Sequence, residues 1–167
     1  MKLIIVYTGE GEGKTCAAFG HVLRALGRRK KCVVIKFLKP NKSGEDVIEK
    51  LANEKVKIYR FGNKRFITKP SCNDIKLAKK ALEKAKEVLK KEKPFLLVLD
   101  EINVAISLGL LTEKEVIEFL KEVKNGIIIL TGRGRHKKIE KLADIVTEMR
   151  EIKHDYPKRK ATKGFEY

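Results

Sequence analysis

The sequence contains no tryptophan and no glutamine, only four prolines, and only three cysteines, Cys16, Cys32 and Cys72. The cysteines are scattered, with no C-x-x-C pair and an odd count. That excludes a disulfide framework and a thiolate zinc site, and it fits a reducing cytoplasm. No apolar run approaches the length of a membrane span. The opening stretch, Met1 to Tyr7, is too short for a signal peptide, lacks a small-residue cleavage site and runs straight into a glycine loop. It reads as a buried first strand. Acidic residues are also short: 22 Asp plus Glu stand against 39 Lys plus Arg, a formal net charge of +17. Such an excess invites a nucleic-acid reading. However, the longest basic run, Lys76 to Lys91, has no aromatic residue within it to make a stacking platform. Lys76, Lys79, Lys80, Lys84, Lys86, Lys90 and Lys91 instead follow one amphipathic pattern, and read as the solvated face of a helix. Abundant Lys and Glu without Gln is a bias found in thermophilic proteins.

What is present suits one soluble domain over residues 1–167, with 43% hydrophobic residues, enough to bury a core without metal or disulfide staples. Continuous Val/Ile/Leu/Phe runs predict strands at Leu3–Tyr7, Cys32–Leu38, Val56–Phe61, Phe95–Asp100, Gly126–Thr131 and Asp144–Met149. Between them, Thr15–Leu26 reads as a helix capped by Gly27. Asn73–Lys91 carries Ile75, Ala78, Leu82, Ala85 and Leu89 at helical spacing and is closed off by Pro94. Thr112-Glu113-Lys114-Glu115 is a capping box opening a helix that buries Val116, Leu120 and Val123. This alternation predicts an α/β fold: a mostly parallel six-stranded sheet with helices on both faces, whose ligands bind beyond the carboxyl ends of the strands.

The strongest chemical signal is Thr8-Gly9-Glu10-Gly11-Glu12-Gly13-Lys14-Thr15, between the first strand and the first helix. Glycines let successive N–H groups turn inward around phosphate oxygens, and the helix start adds partial positive charge. Lys14 suits the outer phosphates and the Thr15 hydroxyl suits magnesium. The strict pattern G-x-x-x-x-G-K-[ST] wants glycine at position 8, where this chain has Thr8. The three alternating glycines in a strand–helix setting outweigh a chance Gly-Lys-Thr. Leu96–Leu99 followed by Asp100 and Glu101 is an apolar strand ending in hard oxygen ligands. Alone it reads as a helix cap; beside a phosphate loop it reads as a magnesium site. Thr131-Gly132-Arg133-Gly134 places an unshielded arginine at a strand end, suited to a phosphate. His21, His136 and His154 have no metal-ligand spacing and read as surface or cap residues.

Together these segments resemble the P-loop type ATP:corrinoid adenosyltransferases, over nearly the whole chain. The resemblance is carried by Tyr7 to Gly20, Lys36-Phe37-Leu38-Lys39, Gly44-Glu45, Leu99 to Asn103, Thr131 to Gly134, Val146 to Arg150, Lys153-His154 and Lys163 to Tyr167. It implies a P-loop NTPase (RecA-like) core and transfer of the 5′-deoxyadenosyl group of ATP to Co(I) of a corrinoid, releasing triphosphate. Lys14, Thr15 and Glu101 are the implied catalytic residues. The implied substrate-binding set is Thr8, Gly9, Glu10, Gly11, Glu12, Gly13, Lys14, Thr15, Cys16 and Arg133, with Phe66 on the corrinoid side. Thr15, Glu101 and Asp100 are the implied ligands of Mg2+ (or Mn2+). A cytoplasmic homodimer, served by a reductant protein, is also implied; nucleic acid and membrane are not. The chain departs from the family at Glu10 and Glu12, where polar or basic residues are preferred. Arg65-Phe66-Ile67-Thr68 also stands where the family has Gly-Phe-Thr-Trp, and no segment precedes the first strand. The rival readings are a nucleic-acid-dependent ATPase and a small nucleoside kinase. The chain lacks the paired-cysteine zinc module of the thymidine-kinase type.

Overall fold

The structure, a computed structural model, describes residues 1–63, 65, 67–154, 162 and 164. Six strands form one sheet: β1 (Lys2–Thr8), β2 (Cys32–Phe37), β3 (Val56–Phe61), β4 (Leu96–Asp100), β5 (Gly126–Thr131) and β6 (Ile145–Glu148). Their order is β3-β2-β4-β5-β1-β6, and every pairing is parallel. The helices are α1 (Lys14–Leu26), α2 (Ile48–Leu51), α3 (Cys72–Lys91), α4 (Ile102–Ser107), α5 (Glu113–Glu122) and α6 (Lys137–Glu140), with a 3-10 turn at Gly44–Val47 before α2.

Successive side chains of a strand point to opposite faces, so each central strand feeds two cores. Ile5, Val34, Val98 and Ile129 pack with Ala18, Phe19 and Val22 of α1 on one face. Ile4, Ile35, Leu99 and Leu130 pack with α3, α4 and α5 on the other, through Ala81, Ala105 and Phe119 among others. Burial on both faces explains the unbroken apolar runs of the inner strands. β6, at the sheet edge, is exposed along its length.

Helix α5 opens as expected: Thr112 Oγ1 accepts from Glu115 N–H, and Glu115 accepts from Thr112 N–H at 2.7 Å. An equivalent box, Ser71 with Asp74, opens α3 one residue earlier than its apolar spacing suggests. The end of α1 differs from expectation. Gly27 is helical, and the left-handed residue is Arg29, at φ 54°. Lys30 N–H reaches Ala25 O at 3.0 Å and Arg29 N–H reaches Leu26 O at 2.7 Å, which is a Schellman motif with arginine in the position glycine prefers. Arg29→Gly is therefore expected to raise stability by about 0.5–1 kcal/mol, measured by urea unfolding. A loss of stability would mean that the Arg29 side chain does more than tolerate its backbone.

Leu38, expected in the second strand, also takes a left-handed backbone, at φ 63°. Gly62 packs closely against this turn: a Cβ on Gly62 would lie 2.5 Å from the Leu38 carbonyl carbon. Lys36, on the same strand, is fully buried. Its ammonium contacts Ser43 Oγ at 2.6 Å, Glu45 at 2.7 Å and Asp46 at 2.5 Å, and lies 5.2 Å from the centre of the Phe19 ring. Arg60 holds the other Asp46 oxygen at 2.8 Å. This network fastens the connection after β2 beneath the strand tips.

Candidate active site

The carboxyl ends of β1, β4 and β5 lie side by side, and their tips carry most of the residues singled out above. β1 delivers the chain to Thr8, whose buried hydroxyl donates to Gly134 O at 2.6 Å. That bond ties the loop entrance to the turn after β5, and accounts for threonine at this position. The left-handed conformations fall on Gly9, at φ 96°, and Gly13, at φ 95°. Gly11 answers a different demand, close approach: a Cβ there would sit 2.8 Å from Met149 O. Gly11 N–H donates to Met149 O at 2.7 Å, and Met149 N–H to Thr8 O at 2.8 Å, so the residues after β6 brace the loop from outside.

Helix α1 starts at Lys14 with no side-chain cap and no acid in its first turn. Its leading N–H groups and positive end are thus available to an anion. Lys14 is half-buried rather than solvent-facing, and its ammonium donates to Gly9 O at 2.7 Å and to Gly11 O. Burial, and then the charge of Arg133, push its pKa below the ordinary lysine value. A bound anion there would favour the charged form. Cys16 is exposed in the first turn.

The second half of the site is built around Asp100, which is fully buried. Its Oδ1 accepts from Thr15 Oγ1 at 2.8 Å and from Thr131 Oγ1 at 2.7 Å. Its Oδ2 faces Lys39 Nζ at 3.2 Å, and Lys39 also meets Glu101 Oε1 at 3.3 Å. Burial works against the charge on Lys39, but Asp100 and Glu101 outweigh it and hold the Lys39 pKa above its ordinary value. Glu101 has a left-handed backbone, at φ 65°, and its N–H donates to Thr131 Oγ1 at 3.1 Å. Non-glycine residues carry such strain where the surroundings impose it, often at functional sites. Thr15, Asp100 and Glu101 thus offer hard oxygens beside a phosphate loop, a donor set that fits magnesium.

Arg133 reaches back over the loop to Glu10 at 3.5 Å, while Glu12 is met by His154 at 2.9 Å. The two acids that set this loop apart therefore have cationic or hydrogen-bonding partners. The glycines flanking Arg133 are required by the packing beneath them: a Cβ on Gly134 would lie 2.1 Å from Ser107 Oγ. His136 packs its Nε2 2.9 Å from Asn103 O, and His21 pairs with the Tyr7 hydroxyl at 2.7 Å, a tertiary contact beyond a surface role. Phe66 lies outside the described residues; its neighbour Arg65 pairs with Asp74 at the start of α3. Thr131, Lys39 and Met149 are the site residues that sequence reasoning missed as site-builders.

The lysines of α3 behave as a solvated helix face. Lys84 and Lys91 pair with Glu87, and Lys86 with Glu83, at 2.9–3.1 Å. A groove of about 710 Å3 runs along this helix, lined by Phe61, Ile75, Lys76 and Lys80 among others, and includes no phosphate-loop residue. Among the described residues no helix is long and apolar enough to cross a membrane.

An all-parallel sheet with a glycine loop between β1 and α1, and an acidic strand tip across β5, defines a P-loop nucleotide-binding protein of the α/β class. The chain belongs to the family of ATP:corrinoid adenosyltransferases described as BtuR/CobO/CobP, whose family model matches residues 1–167. It is 38% identical to a corrinoid adenosyltransferase from Sinorhizobium sp, over 99% of this chain and 80% of that protein. It is 34% identical to the corrinoid adenosyltransferase of Escherichia coli K12 and to the corrinoid adenosyltransferase CobA of Salmonella typhimurium, in each case over 99% of this chain and 85% of the relative. Neither the nucleic-acid ATPase nor the kinase reading is favoured.

Proposed function

We propose that this chain, acting as one domain, moves the 5′-deoxyadenosyl group of ATP onto the Co(I) centre of a corrinoid. The observation that carries the reading is the joined site: Lys14 and Thr15 on the phosphate loop, with Thr15 hydrogen-bonded to Asp100 beside Glu101. In this reaction the cobalt electron pair forms a bond to the 5′ carbon as the bond from that carbon to oxygen breaks. The oxygen leaves with its electron pair on an intact triphosphate. The protein must therefore stabilise negative charge growing on the leaving group. Lys14 and the N–H groups of Gly9–Thr15 are suited to hold the triphosphate, and Arg133 supplies further positive charge above the loop. Magnesium, held by Thr15 and Glu101 with Asp100, would neutralise phosphate charge when bound. No side chain has to remove a proton, so orientation is the other main contribution. Phe66 is assigned to the corrinoid side. The family resemblance also supports a cytoplasmic homodimer and a reductant protein.

The test is an anaerobic assay with ATP, magnesium and chemically reduced cobalamin, following loss of the Co(I) absorbance. Absorbance that persists with active reagents would refute the reading. Within the same assay, Glu101→Ala is expected to lower kcat/KM about 100-fold and Asp100→Asn about 10-fold, the range seen when metal ligands or their hydrogen-bond partners are removed. The amide introduced by Asp100→Asn keeps an acceptor for the two threonine hydroxyls, whereas the methyl left by Glu101→Ala offers no ligand atom. Activity measured against magnesium concentration separates the two variants. Equal, small effects would reduce the pair to a cap on α4.

A further inference from the structure

Lys39 has no assigned task in the reaction, yet its ammonium sits between the two carboxylates of the site. The chain takes a left-handed turn at Leu38, closely packed by Gly62, and the next residue, Lys39, meets the tip of β4. Lys36 is already committed to Ser43, Glu45 and Asp46, so Lys39, just past the end of β2, is the lysine that serves the acidic pair. The oxygens it contacts, Asp100 Oδ2 and Glu101 Oε1, are the ones the threonine hydroxyls leave open, since both hydroxyls donate to Asp100 Oδ1. An ammonium on these oxygens competes with a divalent cation for their lone pairs and repels it by charge. The Lys39 side chain remains 37% exposed on a flexible four-carbon stem, so it has room to leave.

We propose that Lys39 is a resident counter-cation that guards the carboxylate pair, making divalent-metal binding conditional on the nucleotide. This rests on the metal assignment made above. In the nucleotide-free protein the ammonium offsets one of the two carboxylate charges, and a dication entering alone would have to displace it with nothing to receive it. A triphosphate supplies the receiver: its oxygens take the Lys39 ammonium as the metal takes the carboxylates. Lys39 is then a positioning residue that sets the order of assembly and adds a cation to the leaving group.

The experiment uses Mn2+ as the probe, with free Mn2+ read by electron paramagnetic resonance on the full chain, without corrinoid; in the arms with ATP, which itself chelates Mn2+, uptake is the further loss of signal beyond an ATP-only control. Without nucleotide, Lys39→Met is expected to bind Mn2+ about tenfold or more tightly than the unaltered protein, because two carboxylates lose their competitor. Lys39→Arg, which keeps the charge, should bind as weakly as the unaltered protein. Lys39→Met combined with Glu101→Gln should lose the gain, which ties it to this pair. Circular dichroism checks that each variant is folded. Equal Mn2+ affinity for the unaltered protein and Lys39→Met, with ATP still promoting uptake in both, overturns the guard while leaving the metal site standing. No uptake by either protein even with ATP overturns the metal assignment itself and the guard with it. Neither result depends on which group is transferred.

Discussion

Lys14→Ala is expected to weaken ATP binding by about 10- to 150-fold while leaving the sheet folded, because a charge-assisted contact to phosphate is worth roughly 1.5–3 kcal/mol. The structure adds a second consequence. Lys14 spans the loop by donating to Gly9 O and Gly11 O, so alanine also removes two internal ties. The loop is still held from outside by Met149, through its bonds to Thr8 O and from Gly11 N–H, and from below by the Thr8 bond to Gly134 O. The loss in stability should therefore stay within about 1–2 kcal/mol, the scale of one or two hydrogen bonds. ATP titration by calorimetry and a thermal melt followed by circular dichroism read the two quantities separately. Undiminished ATP affinity in a folded variant would remove the phosphate-loop assignment altogether.

The parts of this site that were legible in the sequence are those whose chemistry is local. The loop could be read because glycines, a lysine and a threonine stand together between a strand and a helix, and the α5 start because Thr112 and Glu115 are three residues apart. β3 and β5 have the bounds their apolar runs predict. What escaped depends on tertiary contact. Thr131 meets Asp100 across 31 residues of sequence, and Lys39 meets it across 61, so no spacing rule joins them. Lys36 is a charged residue on a strand, yet its contacts with Ser43, Glu45 and Asp46 let it be one of the largest fully enclosed side chains, which no local pattern signals. Gly27 attracted the cap assignment because glycine is the usual left-handed residue; Arg29 takes that role because the Schellman bonds close two residues later. The partners of the two loop acids, Arg133 for Glu10 and His154 for Glu12, are likewise distant in sequence.

The nucleotide product is where the largest contrast between adenosyl transfer and its rivals should appear. With Co(I) corrinoid, magnesium and ATP, inorganic triphosphate is expected to exceed ADP by about tenfold or more, which corresponds to a barrier difference of at least about 1.4 kcal/mol. Two features favour that outcome. Attack on the sugar carbon needs the triphosphate held and its charge stabilised, which the loop, Lys14 and Arg133 are suited to do. Hydrolysis or phosphoryl transfer needs a carboxylate or similar group to orient a nucleophile at the γ-phosphorus. With nucleotide bound, Asp100 and Glu101 are assigned to the metal, Asp100 also accepting from two threonine hydroxyls, and Glu12 pairs with His154. Little ADP should therefore form when the corrinoid is omitted. The replacement of the family's Gly-Phe-Thr-Trp stretch by Arg65 to Thr68 is expected to slow the reaction or favour a precursor corrinoid without changing the products. Ion-exchange chromatography of the quenched reaction, with light-induced loss of the adenosyl–cobalt spectrum alongside it, decides the matter. ADP that forms rapidly without cobalt, and no triphosphate with it, would show that this loop serves ATP hydrolysis instead.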